Sequence, residues 1–181
     1  MEISDKEIIN QIQKSISKEK GFNLLLEKYQ ERLYWNIRRI VVSHDDADDV
    51  LQNTFVKIWK GLEKFRADSS LYTWLYRISV NESLQHIKMN KKHRILWKDD
   101  AKDLLLEKLE SDVYFDGDEI EKQLQKALIK LPKKQRLVFN MKYYDDLKYD
   151  EISEILETSV GALKASYHLA VKKIEKYLKQ D

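Results

Sequence analysis

Between Phe65 and Asn81 the chain reads FRADSSLYTWLYRISVN, a short polar loop followed by a run crowded with aromatic, cationic and amide side chains. These residue types in this order suit the capture of an unstacked nucleobase. Aromatic faces stack on bases, arginine pairs with phosphate, and asparagine offers a donor and an acceptor to a base edge. Leu71, Trp74, Leu75 and Ile78 recur at helical spacing and predict an inward face, so Trp74 reads as core. Tyr72, Tyr76, Arg77 and Asn81 decorate the other sides. The same pattern also describes a plain core helix capped by Asp68 or Ser69, and periodicity alone favours that reading.

Upstream, Asp-Val-Leu-Gln-Asn-Thr-Phe at 49 to 55 sits in a helix-forming stretch. Ala47, Val50, Leu51, Phe55, Ile58 and Trp59 face inward, and Asp48, Asp49, Gln52 and Asn53 fall on the outer side. Downstream, a short helix over Tyr149–Glu157, a joint at Thr158-Ser159 and a longer helix over Val160–Leu178 make a helix-turn-helix pattern. The stripe Val160, Leu163, Tyr167, Ala170, Ile174 and Leu178 predicts its buried side. The four histidines, His44, His86, His93 and His168, share no ligand spacing, so no metal site is expected. No nucleophile, base and orienter stand together, and no glycine loop cradles a phosphate, so neither catalysis nor a cofactor is expected.

The elements that position these residues are helices. One proline and four glycines leave little turn chemistry for hairpins, and Lys, Glu, Leu and Ile favour helix, so the class is all-α. Helices are expected at Asp5–Ser17, Phe22–Val42, about 46 to 60 with Asp45 or Asp46 as cap, and Ser70–Met89, with Gly21 breaking the first from the second. They make a four-helix first domain, 1–92. A second, smaller domain, 119–181, has helices at Glu119–Leu131, Lys133–Tyr144, Tyr149–Glu157 and Val160–Leu178. Between them, 93–118 reads as a linker. Charge follows this division: Asp99–Glu121 carries net −8, Lys122 to the end net +5, and Arg77–Lys98 six Lys/Arg against one acid. The overall +2 hides this segmentation. There is no cysteine, the N-terminus lacks the apolar stretch of a signal peptide, and no apolar run could span a bilayer, so a cytoplasmic protein is expected.

These motifs together resemble the extracytoplasmic-function sigma factors, specificity subunits of bacterial RNA polymerase, from about Phe22 to Leu178 and failing only in the middle. The promoter-melting pattern F-R-G-[DE]-S-x-x-x-[TS]-W-L-x-x-I-A-x-N is similar to Phe65–Asn81, with Ala67 for Gly and Ser79 for Ala. The polymerase-docking pattern D-A-E-D-[LV]-x-Q-[ED]-x-F is similar to Asp46–Phe55, with Asn53 where an acid is usual. The pattern L-P-x-x-x-R-x-[VA]-F is similar to Leu131-Pro132, Arg136 and Val138-Phe139, followed by Tyr149, Glu151-Ile152 and Leu156. The resemblance implies sigma region 2 and sigma region 4 as the two domains.

It further implies docking on core polymerase through Asp48, Asp49, Gln52, Asn53 and Lys57. It implies −10 DNA contacts from Phe65, Arg66, Asp68, Ser69, Arg77, Asn81, Lys88, Lys91 and Lys92, with Phe65 and Asn81 lining a pocket for an extruded base. It implies −35 contacts from Ser159, Lys164, Ser166, Tyr167, His168 and Lys172. Lys148 stands where a capping Ser or Thr is common, so Glu151 would lack its capping-box partner. The partners implied are bacterial core RNA polymerase and promoter DNA, double- and single-stranded, with no small-molecule substrate and no membrane insertion; many members also have an anti-sigma partner. The alternative from the residues alone is a helix-turn-helix regulator that binds duplex DNA without polymerase.

Overall fold

The computed structural model describes residues 3–13, 18–89, 106, 109 and 119–179. Among the described residues the secondary structure is helical. Helix α1 is Asp5–Gln13, α2 Lys18–Val41, α3 His44–Gly61 and α4 Leu71–Met89; a single 3-10 turn, Leu62–Lys64, follows α3. Helix α5 is Glu119–Ile129, α6 Lys133–Tyr143, α7 Tyr149–Leu156 and α8 Val160–Leu178. All of the expected linker except Leu106 and Leu109 lies outside the described residues. Of the two it retains, Leu109 is buried beside Ile129, with Leu106 and Val42 against them.

The long stripe on α2 does the organising. Leu25, Tyr29, Leu33, Ile37, Ile40 and Val41 are all buried, at the threes and fours that put them on one face. The N-terminal half of the stripe packs with Ile8 and Ile12 of α1, Ile58 of α3 and Leu71 and Leu75 of α4. The C-terminal half packs with Ala47, Val50, Tyr76 and Val80, and that cluster continues into Leu137, Val138 and Met141 of α6, Leu147, Ile152 of α7 and Leu163 of α8. The expected pair of tethered domains therefore shares one apolar core. A smaller cluster, Leu128, Leu131, Phe139, Ala170 and Ile174, holds α5, α6 and α8 together.

Several helix ends differ from expectation for identifiable reasons. Gly21 lies inside α2 and does not break it. A Cβ built on Gly21 would sit 2.8 Å from both the backbone nitrogen and Cγ1 of Ile12, so the glycine permits α1 to cross α2 backbone to backbone. Residues 14–17 of the expected first helix fall outside those described. Helix α2 ends at Val41, because Val42 takes a left-handed φ of 65°. The N-cap of α3 is Ser43, so Asp45 and Asp46 stand in the first turn, where the helix dipole favours them. Ser70, and neither Asp68 nor Ser69, caps α4: its Oγ accepts from the Thr73 backbone N–H at 3.0 Å. Tyr76, expected on the outer side of α4, is fully buried. Leu178, expected in the buried stripe of α8, is 43% exposed. Half of a capping box survives on α7, because the Glu151 carboxylate accepts from the Lys148 backbone N–H at 2.8 Å.

Gly21→Ala tests the helix crossing. Overpacking a close contact costs about 1–3 kcal/mol, whereas alanine returns up to about 1 kcal/mol of helix propensity. The net expectation is a loss of about 1–2 kcal/mol, read as a lower urea midpoint with an unchanged slope. An unchanged midpoint would show that α1 can lift away at no cost.

Candidate nucleic-acid interface

Helix α3 presents its polar residues as its spacing predicts. Asp49, Gln52 and Asn53 are exposed while Val50, Thr54 and Ile58 are buried. Asp48 is half exposed, 3.5 Å from His44 Nε2. Lys57 pairs with Glu82 of α4. Between α3 and α4 runs an open groove of about 500 Å³ lined by Val50, Asn53, Lys57, Glu82, Gln85, His86 and Met89. His86 Nε2 lies 2.9 Å from Asp46 at its side. The groove-lining residues of α4 escaped sequence reasoning, since they lie more than 20 positions from those of α3 and carry no local motif.

The loop before α4 is exposed at Arg66, Ala67, Asp68 and Ser70 and half buried at Ser69. Ala67, where a glycine is expected, holds φ 58°. A non-glycine residue there costs about 1–2 kcal/mol, so the loop shape is maintained against strain. Phe65 is half buried, its ring tilted against Trp74 at 5.1 Å between centroids. Trp74 in turn lies against Gly61, where an added Cβ would come 3.0 Å from Cζ2. Trp74 is thus partly buried core that braces the loop. Asn81 stands exposed two turns further along the same stripe of α4. Lys88 is exposed as well, and Lys91 and Lys92 lie outside the described residues.

The opposite side of α4 meets the C-terminal helices through a row of carboxylates. Thr73 Oγ1 donates to Glu151 at 2.6 Å, Tyr76 Oη donates to Asp145 at 2.6 Å, and Arg77 donates to Glu154 at 2.8 Å. The acceptors are 69 to 78 positions away in sequence, which is why no motif announced them. Asp145, in the turn between α6 and α7, is 3% exposed. Arg39 stands 3.5 Å from its carboxylate and lies 4.2 Å over the Tyr144 ring, and Arg32 donates to its carbonyl at 3.2 Å. Burial pushes the Asp145 carboxyl above its ordinary value, and the Tyr76 hydroxyl and the two arginines pull it back. Burial and the Asp145 charge raise the Tyr76 phenol well above its own. Behind them Asn36 donates to Tyr76 Oη and accepts from Ser79 Oγ at 3.0 Å.

On the helix-turn-helix, Ser159 caps α8 by accepting from the Ala162 N–H at 3.4 Å. Lys164, His168 and Lys172 are exposed, and Ser166 is half buried. Tyr167 is half buried and used in packing: it stacks on Phe139 at 5.7 Å and meets Tyr149 edge-on at 6.5 Å. Arg136 of the Leu-Pro motif is 6% exposed, and burial lowers its guanidinium to about 10, so it supports α6 from inside. Among the described residues no cluster of three or more His, Asp or Glu could hold a metal, and no helix is long and apolar enough to cross a membrane.

The family model for sigma-70 region 2 matches residues 25–93, and that for sigma-70 region 4 matches 121–174. The chain belongs to the extracytoplasmic-function sigma factors. It is 29% identical to the RNA polymerase sigma-H factor of Pseudomonas aeruginosa, over 96% of this chain and 93% of that one. It is 28% identical to the ECF RNA polymerase sigma-E factor of Salmonella typhimurium, over 96% and 94%. Among solved structures it resembles CnrH in complex with the cytosolic domain of CnrY, with a TM-score of 0.71 and 22% identity over 98% of each chain. It also resembles the sigma factor RpoE bound to the anti-sigma factor NepR from Bartonella quintana, with a TM-score of 0.68 and 23% identity over 90% of this chain and 99% of that one. As a sigma factor it binds core RNA polymerase and directs transcription from promoters.

In this sigma factor the Asn36–Tyr76–Asp145 chain is buried at every member, so removing its central hydroxyl leaves two polar groups short of a partner. Tyr76→Phe is expected to lower stability by roughly 1–3 kcal/mol, the cost of unsatisfied buried groups. A denaturant melt of the full chain measures it; a phenylalanine variant as stable as wild type would show that water fills the gap.

Proposed function

We propose that the sigma-factor tasks are divided between two exposed polar sets carried by one rigid bundle, with the helix-turn-helix as a third. Asp49, Gln52 and Asn53 on α3 dock core polymerase, with Asp48 and Lys57 beside them. The loop from Arg66 to Ser70, with Phe65 and Asn81, captures a base of the −10 element. Asp68 and Ser69 offer acceptors within that loop, and Arg77, Lys88, Lys91 and Lys92 neutralise nearby phosphates. Ser159, Lys164, Ser166, His168 and Lys172 meet the −35 duplex, with Tyr167 contributing its phenolic edge. The observation that supports this reading most is the placement of two exposed polar sets on different helices whose inner faces share a core.

On this reading docking and melting are separable by mutation. The chemistry of RNA synthesis stays with the polymerase, and this chain acts in the cytoplasm without catalysing a reaction of its own. Residues 1–92 and 119–181 form the two working domains, and the acidic segment 93–118 joins them. Lys164 and Lys172 supply positive charge on a recognition helix that carries no arginine, so base discrimination there rests on fewer bidentate contacts. A protein partner of the anti-sigma kind fits this chain too, since both solved relatives described above were captured with a bound partner.

Two variants test the division. Asp49→Ala combined with Gln52→Ala is expected to weaken capture of core enzyme while changing stability by no more than about half a kcal/mol, as exposed sites do. Asn81→Ala is expected to spare that capture and to reduce promoter opening about ten- to a hundred-fold, the effect of one or two lost hydrogen bonds to a base. Permanganate reactivity of unpaired thymines reports opening, and a premelted template should restore transcription by the Asn81 variant. Equal opening by wild type and Asn81→Ala would remove the base pocket from this part of α4.

A further inference from the structure

The side of α8 opposite buried Leu163, Ala170 and Ile174 is exposed at Gly161, Ala165, His168, Leu169 and Lys172. In a helix-turn-helix the N-terminal part of the second helix faces base edges in the major groove. Over that part, Gly161, Ala162 and Ala165 are exposed and hold nothing longer than a methyl, and Leu169, 47% exposed, is wholly apolar. Gly161 has no task inside the chain: its φ is not positive, and an added Cβ would meet nothing within 4 Å among the described residues. Of Gly161, Ala165, His168 and Leu169, only His168 carries a side chain that can hydrogen-bond. The lysines stand at the margins. Lys164 Nζ lies 5.7 Å from the centroid of the Tyr149 ring, drawn toward α7, and Lys172 comes two turns after Ala165.

A guanine is read in the major groove by Arg or Lys and an adenine by Asn or Gln, and the middle of this face holds none of these. The thymine 5-methyl is the one group there that calls for an apolar partner. We propose that α8 selects duplex DNA by thymine methyls, with Ala165 and Leu169 as the residues that cover them. Gly161 and Ala162 let the helix seat deeply enough for such short side chains to reach the base edges. Lys164 and Lys172 hold phosphates at the edges of the contact. Ala165 and Leu169 are one turn apart, about 6 Å along the helix axis, the span of about two base steps. The −35 element is therefore a short run of A·T pairs with thymines at neighbouring steps. This inference rests on the assignment of α8 to the −35 duplex made above, and it names what the helix recognises there.

Deoxyuridine tests the proposal, since it differs from thymidine in the major groove by the methyl alone. Holoenzyme assembled from the full chain and bacterial core enzyme is given promoter duplexes that it has selected from genomic fragments. Each thymine of the −35 element is replaced in turn by uracil. At two or three positions binding is expected to fall about three- to five-fold, the value of one buried methyl group. Leu169→Ala and Ala165→Gly are each expected to abolish this thymine-to-uracil ratio at one of those positions and to keep it at the others. The ratio is taken within one variant, so partial unfolding lowers both bindings alike and leaves the ratio intact. A −35 element without A·T pairs would overturn the methyl reading. So would an element whose thymines all accept uracil without loss although scrambling it abolishes binding; the −35 assignment of α8 would then still stand. Uracil losses that persist undiminished in both variants would overturn Ala165 and Leu169 as the contacts. A −35 segment that can be scrambled without loss would overturn the −35 assignment itself, and this inference with it.

Discussion

A buried carboxylate must be met by donors, and in this chain that requirement fixes how the two halves lie together. Taking an ionised group out of water costs several kcal/mol unless hydrogen bonds and opposite charge replace the lost hydration. Asp145 finds its replacements in Tyr76 and Arg39. Tyr76 is in turn held by Asn36, and Asn36 by Ser79. The chain of donors thus runs from α2 through α4 into the turn between α6 and α7. Apolar contacts around it, Ile37 and Val80 from one half and Met141 and Ile152 from the other, supply attraction without direction. The polar chain supplies the direction, because hydrogen bonds weaken steeply when their angles depart from linear.

Helix α4 carries the consequences. One side of it builds the N-terminal core through Leu71 and Leu75, and another side, with Tyr76 and Val80, builds the core shared with the C-terminal helices. What remains for function is a narrow strip around Asn81, Gln85 and Lys88, together with the loop that leads into the helix. A helix buried on two sides moves little, which suits the positioning of a base-capturing group. The loop, by contrast, maintains Ala67 at a positive φ and is braced by Phe65 on Trp74 and by Ser70 on Thr73. Rigid helix and strained loop are the two walls between which the proposed base pocket would form.

Much of this was legible in the sequence, and the rest was hidden for physical reasons. The helical class, the stripe on α2, the outward row Asp49, Gln52 and Asn53, and the helix-turn-helix all follow from local periodicity, which one helix encodes by itself. Trp74 as core could be read from its spacing with Leu71, Leu75 and Ile78. Tyr76 could not be read that way, because its burial depends on Asp145, 69 residues on. Gly21 misled because a glycine that breaks a helix and one that lets another helix approach look alike until the neighbour, Ile12, is in place. The caps at Ser43 and Ser70 lie one to three residues from those expected, because helix ends are the part of a helix that local pattern fixes least. The carboxylate row on α4 left no trace in sequence, since acids on short surface helices are commonplace.

The central claim is that this chain gives core polymerase the ability to find and open promoters. Core enzyme from a bacterium, supplied with a pool of genomic DNA fragments and nucleotides, should be run with and without the chain, and the 5′ ends of the transcripts sequenced. The account predicts a discrete set of start sites that appears only with the chain, preceded by a shared pair of −35 and −10 elements. Identical start sites in the two reactions would contradict it.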